Sequence, residues 1–187
     1  VESALFAGYT NAGQTCISVE EVFIEESIFE NFTKLISSKV KSMSAGSGSD
    51  KEIGAMIMKK NAIKVQEHLK EVQGVSQIIT GNKSDHPMYI PPTLVVSPPE
   101  DSRLVNEETF GPVMSLRSFN NKEDLLSKVH KTGYGLSASI FGRNKKRIKE
   151  ILSSLKIGNV SINDVFTHYG IASLPFGGEG FSGMGRM

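Results

Sequence analysis

Short apolar runs without helical period alternate along these 187 residues with longer amphipathic helical patterns, and this alternation restricts the fold more than any other feature. The runs are Val22-Phe23-Ile24, Gln77-Ile78-Ile79, Leu94-Val95-Val96, Val113-Met114-Ser115-Leu116, Ser139-Ile140-Phe141 and Val160-Ser161-Ile162. Their brevity and partly β-branched content predict buried strands. Residues 26–42 place Ile28, Phe29, Phe32, Leu35, Ile36 and Val40 on one helical face, and Ser27 with Glu30 three residues later reads as a capping box. Further helical patterns run through Ala62, Val65, Leu69 and Val72, through Leu125, Leu126 and Val129, and through Ile148, Ile151, Leu152 and Leu155. Gly74, Gly133 and Gly158 stand where C-terminal caps are expected. Strands alternating with such helices imply crossover connections, hence an α/β fold with a mostly parallel twisted sheet and helices on both faces. Function in such folds gathers in loops at the carboxyl ends of the strands.

The length suits one compact domain, and neither an internal repeat nor a domain linker is visible. Loop chemistry concentrates in a Gly/Ser-rich turn from Ser44 to Asp50, a Pro-containing connection from Asp85 to Pro92, and five glycines between Phe176 and Gly185. Lysine plus arginine (21) nearly balance aspartate plus glutamate (20), so net charge gives no general attraction to nucleic acid or an anionic membrane. No apolar stretch approaches the roughly 20 residues of a membrane span. The chain opens on Val1-Glu2-Ser3 without an initiator methionine or a signal-like segment, as expected of a piece of a longer, cytoplasmic protein.

The single cysteine, Cys16, lies in NAGQTCIS and has no partner for an internal disulfide. A lone cysteine is more often a small buried hydrophobe than a nucleophile. Its setting argues otherwise: Gly13 permits close approach to the backbone, and the segment links the end of a helix to the strand at Val22. A thiolate there could attack a carbonyl carbon, its own backbone N–H donating to the oxyanion that forms. In VNEETFGPVMSL, residues 105–116, two adjacent acids precede Phe110, a flexible Gly111 and a rigid Pro112 just before a strand. Adjacent acids commonly mark only a solvated turn, but a carboxylate beside an aromatic face also suits a ribose hydroxyl next to a nicotinamide ring. LPFGGEGFSGMGRM, residues 174–187, lacks both the Gly-Lys-Ser/Thr ending of a phosphate loop and the strand-then-helix context of a dinucleotide fingerprint. His68, His86, His130 and His168 are scattered without metal-ligand spacing, so no metal is expected. His168 is the one candidate base partner for Cys16 if the chemistry were thiol hydrolysis, although a structural role suits it better.

Read in order, NAGQTCIS, NEETFGPV, GNVSIND and LPFGGEGFSGMGR resemble the catalytic domain of the aldehyde dehydrogenase superfamily, and IGAMI, YIPPTL and YGLSASIFGRN extend the resemblance over essentially the whole chain. It implies that Cys16 is the catalytic thiol, that Glu108 holds the nicotinamide ribose, that Phe110 lies beside the nicotinamide, and that Phe176 lines the substrate tunnel. It implies NAD or NADP as cofactor, an aldehyde as substrate, and a homodimeric or homotetrameric parent. In the family the cofactor domain, the oxyanion-hole asparagine and the glutamate base lie upstream of the cysteine motif, so residues 1–187 are expected to be an excised catalytic domain without dehydrogenase activity of its own. Glu21 departs from the pattern, since arginine is common five residues after the cysteine, and this puts any ion pair built on that arginine in question. NDVFTHYG resembles branches acting on medium-chain or aromatic aldehydes, whereas succinate-semialdehyde enzymes share GQTCIS, so the aldehyde stays open. Thioester release to CoA, cysteine-dependent ester hydrolysis and a non-enzymatic binding module are the alternatives.

Overall fold

The computed structural model describes residues 1–82 and 86–186. Asp85, at the start of the Pro-containing connection, and Met187, at the end of the glycine-rich segment, therefore lie outside the described residues. The chain divides into two compact units, Val1–Phe119 and Asn120–Met187.

In the first unit α1 (Glu2–Tyr9) and a 3-10 turn (Thr10–Gly13) lead to β1 (Glu21–Glu25), α2 (Glu26–Ser42), α3 (Lys59–Val72), β2 (Gln77–Thr80), β3 (Thr93–Val96), α4 (Arg103–Asn106) and β4 (Val113–Phe119). The strands form one sheet in the order β1-β4-β3-β2. Both β1 and β3 run parallel to β4, and β2 closes one edge antiparallel to β3. As the inner partner of two parallel strands, β4 buries Val113, Met114, Ser115 and Leu116 in succession, the continuous run expected of a strand covered on both faces. Val113, Met114 and Leu116 join Ile36 and Val40 of α2, Val65 and Val72 of α3, and Leu94 of β3 in one core. Each large apolar side chain withdrawn from water this fully is worth about 2 kcal/mol.

The second unit holds α5 (Lys122–His130), β5 (Tyr134–Gly135), β6 (Ser137–Ile140), α6 (Lys145–Leu152), β7 (Asn159–Ile162), β8 (Gly177–Gly180) and β9 (Gly185–Arg186). Strands β6 and β7 pair in parallel with α6 between them in sequence, while β5, β8 and β9 pair antiparallel. Asn121 and Asn144 cap α5 and α6, their side-chain oxygens accepting from the Asp124 and Arg147 N–H groups.

All six predicted strands and all four predicted helices are present, but β6 stops at Ile140, and Phe141 and Ile162 are exposed rather than buried. Other local expectations also need correction. There is no capping box at Ser27, because β1 runs directly into α2 with Glu25 at the N-cap position and no side-chain cap. Ile28 and Leu35 are exposed, lying off the face that buries Ile36 and Val40, and α6 ends at Leu152, before Leu155. Gly74 and Gly133 do take positive φ, but Gly158 does not. A side chain at Gly158 is excluded for another reason: a Cβ there would lie 1.8 Å from the Gly177 carbonyl oxygen.

Glu21 is not an unmatched charge. In the parallel register of β1 and β4, Phe23 faces Arg117, and the period of two puts Glu21 on the same side. The Arg117 guanidinium donates to Glu21 Oε1 at 2.7 Å and to Glu100 Oε1, and lies 5.2 Å over the Phe23 ring. A buried cation is thereby satisfied on two sides and across an aromatic face. Glu21→Arg would set two guanidinium groups against each other and is expected to cost about 3 kcal/mol in urea unfolding. Arg117→Met, which keeps the stem's packing and leaves carboxylates that reach water, should cost less.

Candidate active site

Cys16 is exposed, in the turn between α1 and β1. The approach to it is unusual backbone: Asn11, Ala12 and Gly13 all have left-handed φ, at 55, 57 and 68°. An isolated asparagine tolerates this region, but an alanine there is strained and persists only where packing over-determines it. Ala12 is buried in the core, and Gln14, also buried, locks the turn from the other side. The Gln14 side chain accepts the Ile57 N–H at 2.8 Å and donates to the Ala55 carbonyl at 3.3 Å, tying the cysteine turn to the IGAMI segment. Beyond Cys16 the Ser18 hydroxyl donates to the Ala7 carbonyl at 3.1 Å, and the Val19 N–H reaches the same oxygen. The thiol thus sits at the tip of a turn fixed at both ends. Among the described residues, the Cys16 backbone N–H donates to no acceptor.

The turn meets the NEETFGPV segment by two contacts. Gly13 lies so close to Gly111 that a Cβ on Gly13 would be 2.1 Å from the Gly111 carbonyl oxygen. Glu20 accepts the Thr109 N–H at 2.7 Å and the Phe110 N–H at 2.8 Å, one on each carboxylate oxygen. The bend that presents Glu108 and Phe110 is made at Phe110 itself, with φ 54°. The sequence assigns that flexibility to Gly111; the structure gives Gly111 a steric role, since a Cβ there would lie 2.4 Å from Val65 Cγ2. Pro112 behaves as expected at a strand start, offering only its carbonyl, which accepts the Thr93 N–H at 2.9 Å.

Side chains from α3 and the loop complete the support. Buried His68 pairs through Nδ1 with Thr109 Oγ1 at 3.1 Å, its Nε2 lies 3.6 Å from Glu107 Oε2, and Lys64 donates to the Glu108 carbonyl. Burial holds the His68 pKa below its ordinary value, which favours the neutral ring. Of the two adjacent acids, Glu107 faces this histidine, while Glu108 is exposed. Glu107 is exposed as well, and Phe110, two positions after Glu108, is half-buried.

Phe176 belongs to the second unit, where it stacks on His168 with ring centroids 6.1 Å apart and 10° between planes, and meets Tyr169 edge-on. His168 Nδ1 is 3.1 Å from Ser161 Oγ, so the imidazole is engaged with β7 and with Phe176. GNVSIND and LPFGG come together around it: Asn159 donates to the Gly177 carbonyl at 2.7 Å and to the Leu136 carbonyl at 2.9 Å. The glycines of 177–185 are consumed in backbone packing and hairpin pairing rather than forming a phosphate cradle. No cluster of three or more His, Cys, Asp or Glu able to hold a metal ion occurs among the described residues, and no helix there is long and apolar enough to cross a membrane. Sequence reasoning missed Glu20 and His68, whose roles lie in contacts 41 to 90 positions away. It also missed the buried clamp role of Gln14.

A model of the aldehyde dehydrogenase family matches residues 1–187. The chain is 34% identical to a lactaldehyde dehydrogenase of Methanococcus maripaludis and 30% identical to a succinate-semialdehyde dehydrogenase [NADP(+)] of Escherichia coli, covering 99% and 100% of itself. It spans 40% and 39% of those relatives' lengths. A crystal structure of betaine aldehyde dehydrogenase from Staphylococcus aureus in complex with NAD+ superposes with a TM-score of 0.88 at 26% identity, over 99% of this chain and 38% of that one.

Two outcomes follow from the turn geometry. Gly13→Ala combines a left-handed φ with a collision against backbone and should cost about 2 kcal/mol or more in urea unfolding. Burial pushes the Glu20 carboxyl from its ordinary 4.5 up to about 7, against the two N–H bonds that favour its ionised form. The folded state therefore binds this proton more tightly than the unfolded chain, so the proton-linked part of Glu20's contribution to stability is fully present below pH 4.5 and is lost as pH rises through about 7, leaving the two N–H bonds to its carboxylate. The difference in unfolding free energy between wild type and Glu20→Gln should fall across that window and level off above it.

Proposed function

Given that the chain belongs to the aldehyde dehydrogenase family, we propose that it is the catalytic portion of an NAD(P)-dependent enzyme oxidising an aldehyde to a carboxylic acid through a thiohemiacetal and a thioester on Cys16. The observation that carries this reading is the seating of the Cys16 turn against the Glu108–Phe110 segment, through the Gly13–Gly111 contact and the Glu20 hydrogen bonds. A nucleophile and a cofactor-facing carboxylate are thus held on one rigid support, which is what positioning requires.

In this reading the Cys16 thiolate adds to the aldehyde carbon, and the Cys16 N–H, open to an acceptor, donates to the oxyanion that results. Glu108 and Phe110 suit a nicotinamide ribose and its ring, and Phe176 is carried over from the family resemblance alone as a substrate-facing aromatic. A bound nicotinamide cofactor supplies the hydride acceptor. Water then cleaves the Cys16 thioester, freeing the thiol and the acid. The ion pair that Glu21's departure from the pattern put in question is replaced by one with Arg117.

A second reading, thiol-dependent ester hydrolysis by the 187-residue chain, draws on the exposed thiol and open N–H alone. It requires neither cofactor nor Glu108.

In the complete natural polypeptide, Cys16→Ala should lower aldehyde-dependent NAD(P)H formation by about 10³-fold or more, read at 340 nm. Glu108→Gln should raise the KM for cofactor more than it raises the KM for aldehyde. The 187-residue chain by itself should form little or no NAD(P)H from aldehydes; robust formation would sink the view that it is only a portion of the machinery. Turnover of p-nitrophenyl acetate that survives Cys16→Ala would remove the esterase reading.

A further inference from the structure

Glu20 stands four residues after Cys16, outside every motif, and both ends of the residue are committed. Its side chain accepts the Thr109 and Phe110 N–H groups, while its carbonyl accepts the Ser115 N–H at 2.8 Å and the Ser115 hydroxyl at 3.2 Å. One residue therefore spans the segment that begins at the Phe110 bend and ends in β4. Two successive N–H groups converging on one anion form a small nest, and a carboxylate matches it because each oxygen serves one donor. An amide would turn its NH2 toward one of those N–H groups, and an apolar side chain would leave both unpaired. The segment's other anchors act elsewhere: His68 meets the Thr109 hydroxyl and Lys64 the Glu108 carbonyl, and neither reaches the two N–H groups. Phe110 holds a left-handed φ of 54° that an L-residue adopts only under constraint.

We infer that Glu20 is a positioning residue: its carboxylate fixes the Glu108–Phe110 segment in the conformation that receives the nicotinamide cofactor and couples that segment to the turn bearing Cys16. The inference rests on the reading above, in which Glu108 and Phe110 meet the cofactor.

The test uses Glu20→Gln and Glu20→Asp in the complete natural polypeptide, with NADH and NADPH titrated by fluorescence and amide hydrogen exchange followed over residues 105–112. Glu20→Gln should speed exchange at Thr109 and Phe110 with the core unchanged, and should weaken binding of the preferred dinucleotide about tenfold. The KM for cofactor should rise while kcat at saturating cofactor changes less, a split that general loss of stability would not produce. Glu20→Asp keeps both acceptor oxygens on a shorter reach and should fall between, so it carries the test if Glu20→Gln does not fold. Wild type binding neither dinucleotide would overturn the cofactor reading and this inference together. Tight wild-type binding with no change in either readout in the variants would overturn the role of Glu20 alone.

Discussion

The close seating of two glycine backbones, Gly13 on Gly111, sets the distance at which the rest of this unit must be built. No side chain fits between the cysteine turn and the loop before β4, so neither can move outward without opening a gap and neither can move inward. What surrounds the contact is arranged to hold it. Gln14 ties the turn to residues 55–57, Val65 closes over Gly111, and Glu20 bridges the two segments with both its oxygens. Strained φ angles at Ala12 and Phe110 stand on either side of it. Strain of this kind survives only where packing and hydrogen bonds leave no relaxed alternative, and here the parallel pairing of β1 with β4 removes that alternative.

Much of the framework was legible in the sequence because it is written in local period. Short apolar runs gave the strands, and the 3.6-residue spacing of Ile36 and Val40 or Val65 and Val72 gave the helices. The four ordered motifs pointed to the family that the comparison over residues 1–187 shows. Elements without a pattern escaped. Helix α1 buries Leu5, Ala7, Gly8 and Tyr9 and so has no clean polar face, while β5 and β9 are two residues long and exist only through pairing with β8. The capping box at Ser27 was a true sequence pattern overridden by the direct passage of β1 into α2.

The supporting residues of the candidate site were invisible for a different reason. Glu20 reads as one acid among several, and nothing in its neighbourhood announces two N–H groups from residues 109 and 110. Glu21 beside it read as a departure from a pattern, and only the register with β4 reveals Arg117 as its counterpart. The charge is matched on the adjacent strand, through a contact no linear motif can record.

The bond from Glu20 to Phe110 closes a loop of 90 positions, and that separation has a bearing on time as well as space. At ordinary ribosomal rates, roughly 5 to 20 seconds elapse between the emergence of the cysteine turn and that of its counterpart. During that interval the cysteine turn exists without the loop that packs against Gly13 and Glu20, and β1 has no β4 to lie against. A polypeptide interrupted anywhere in those 90 positions would carry the cysteine turn without its counterpart loop and an unpaired strand. The geometry that assembles this unit thus also fixes a stage of synthesis at which an unpaired strand edge is open to wrong partners.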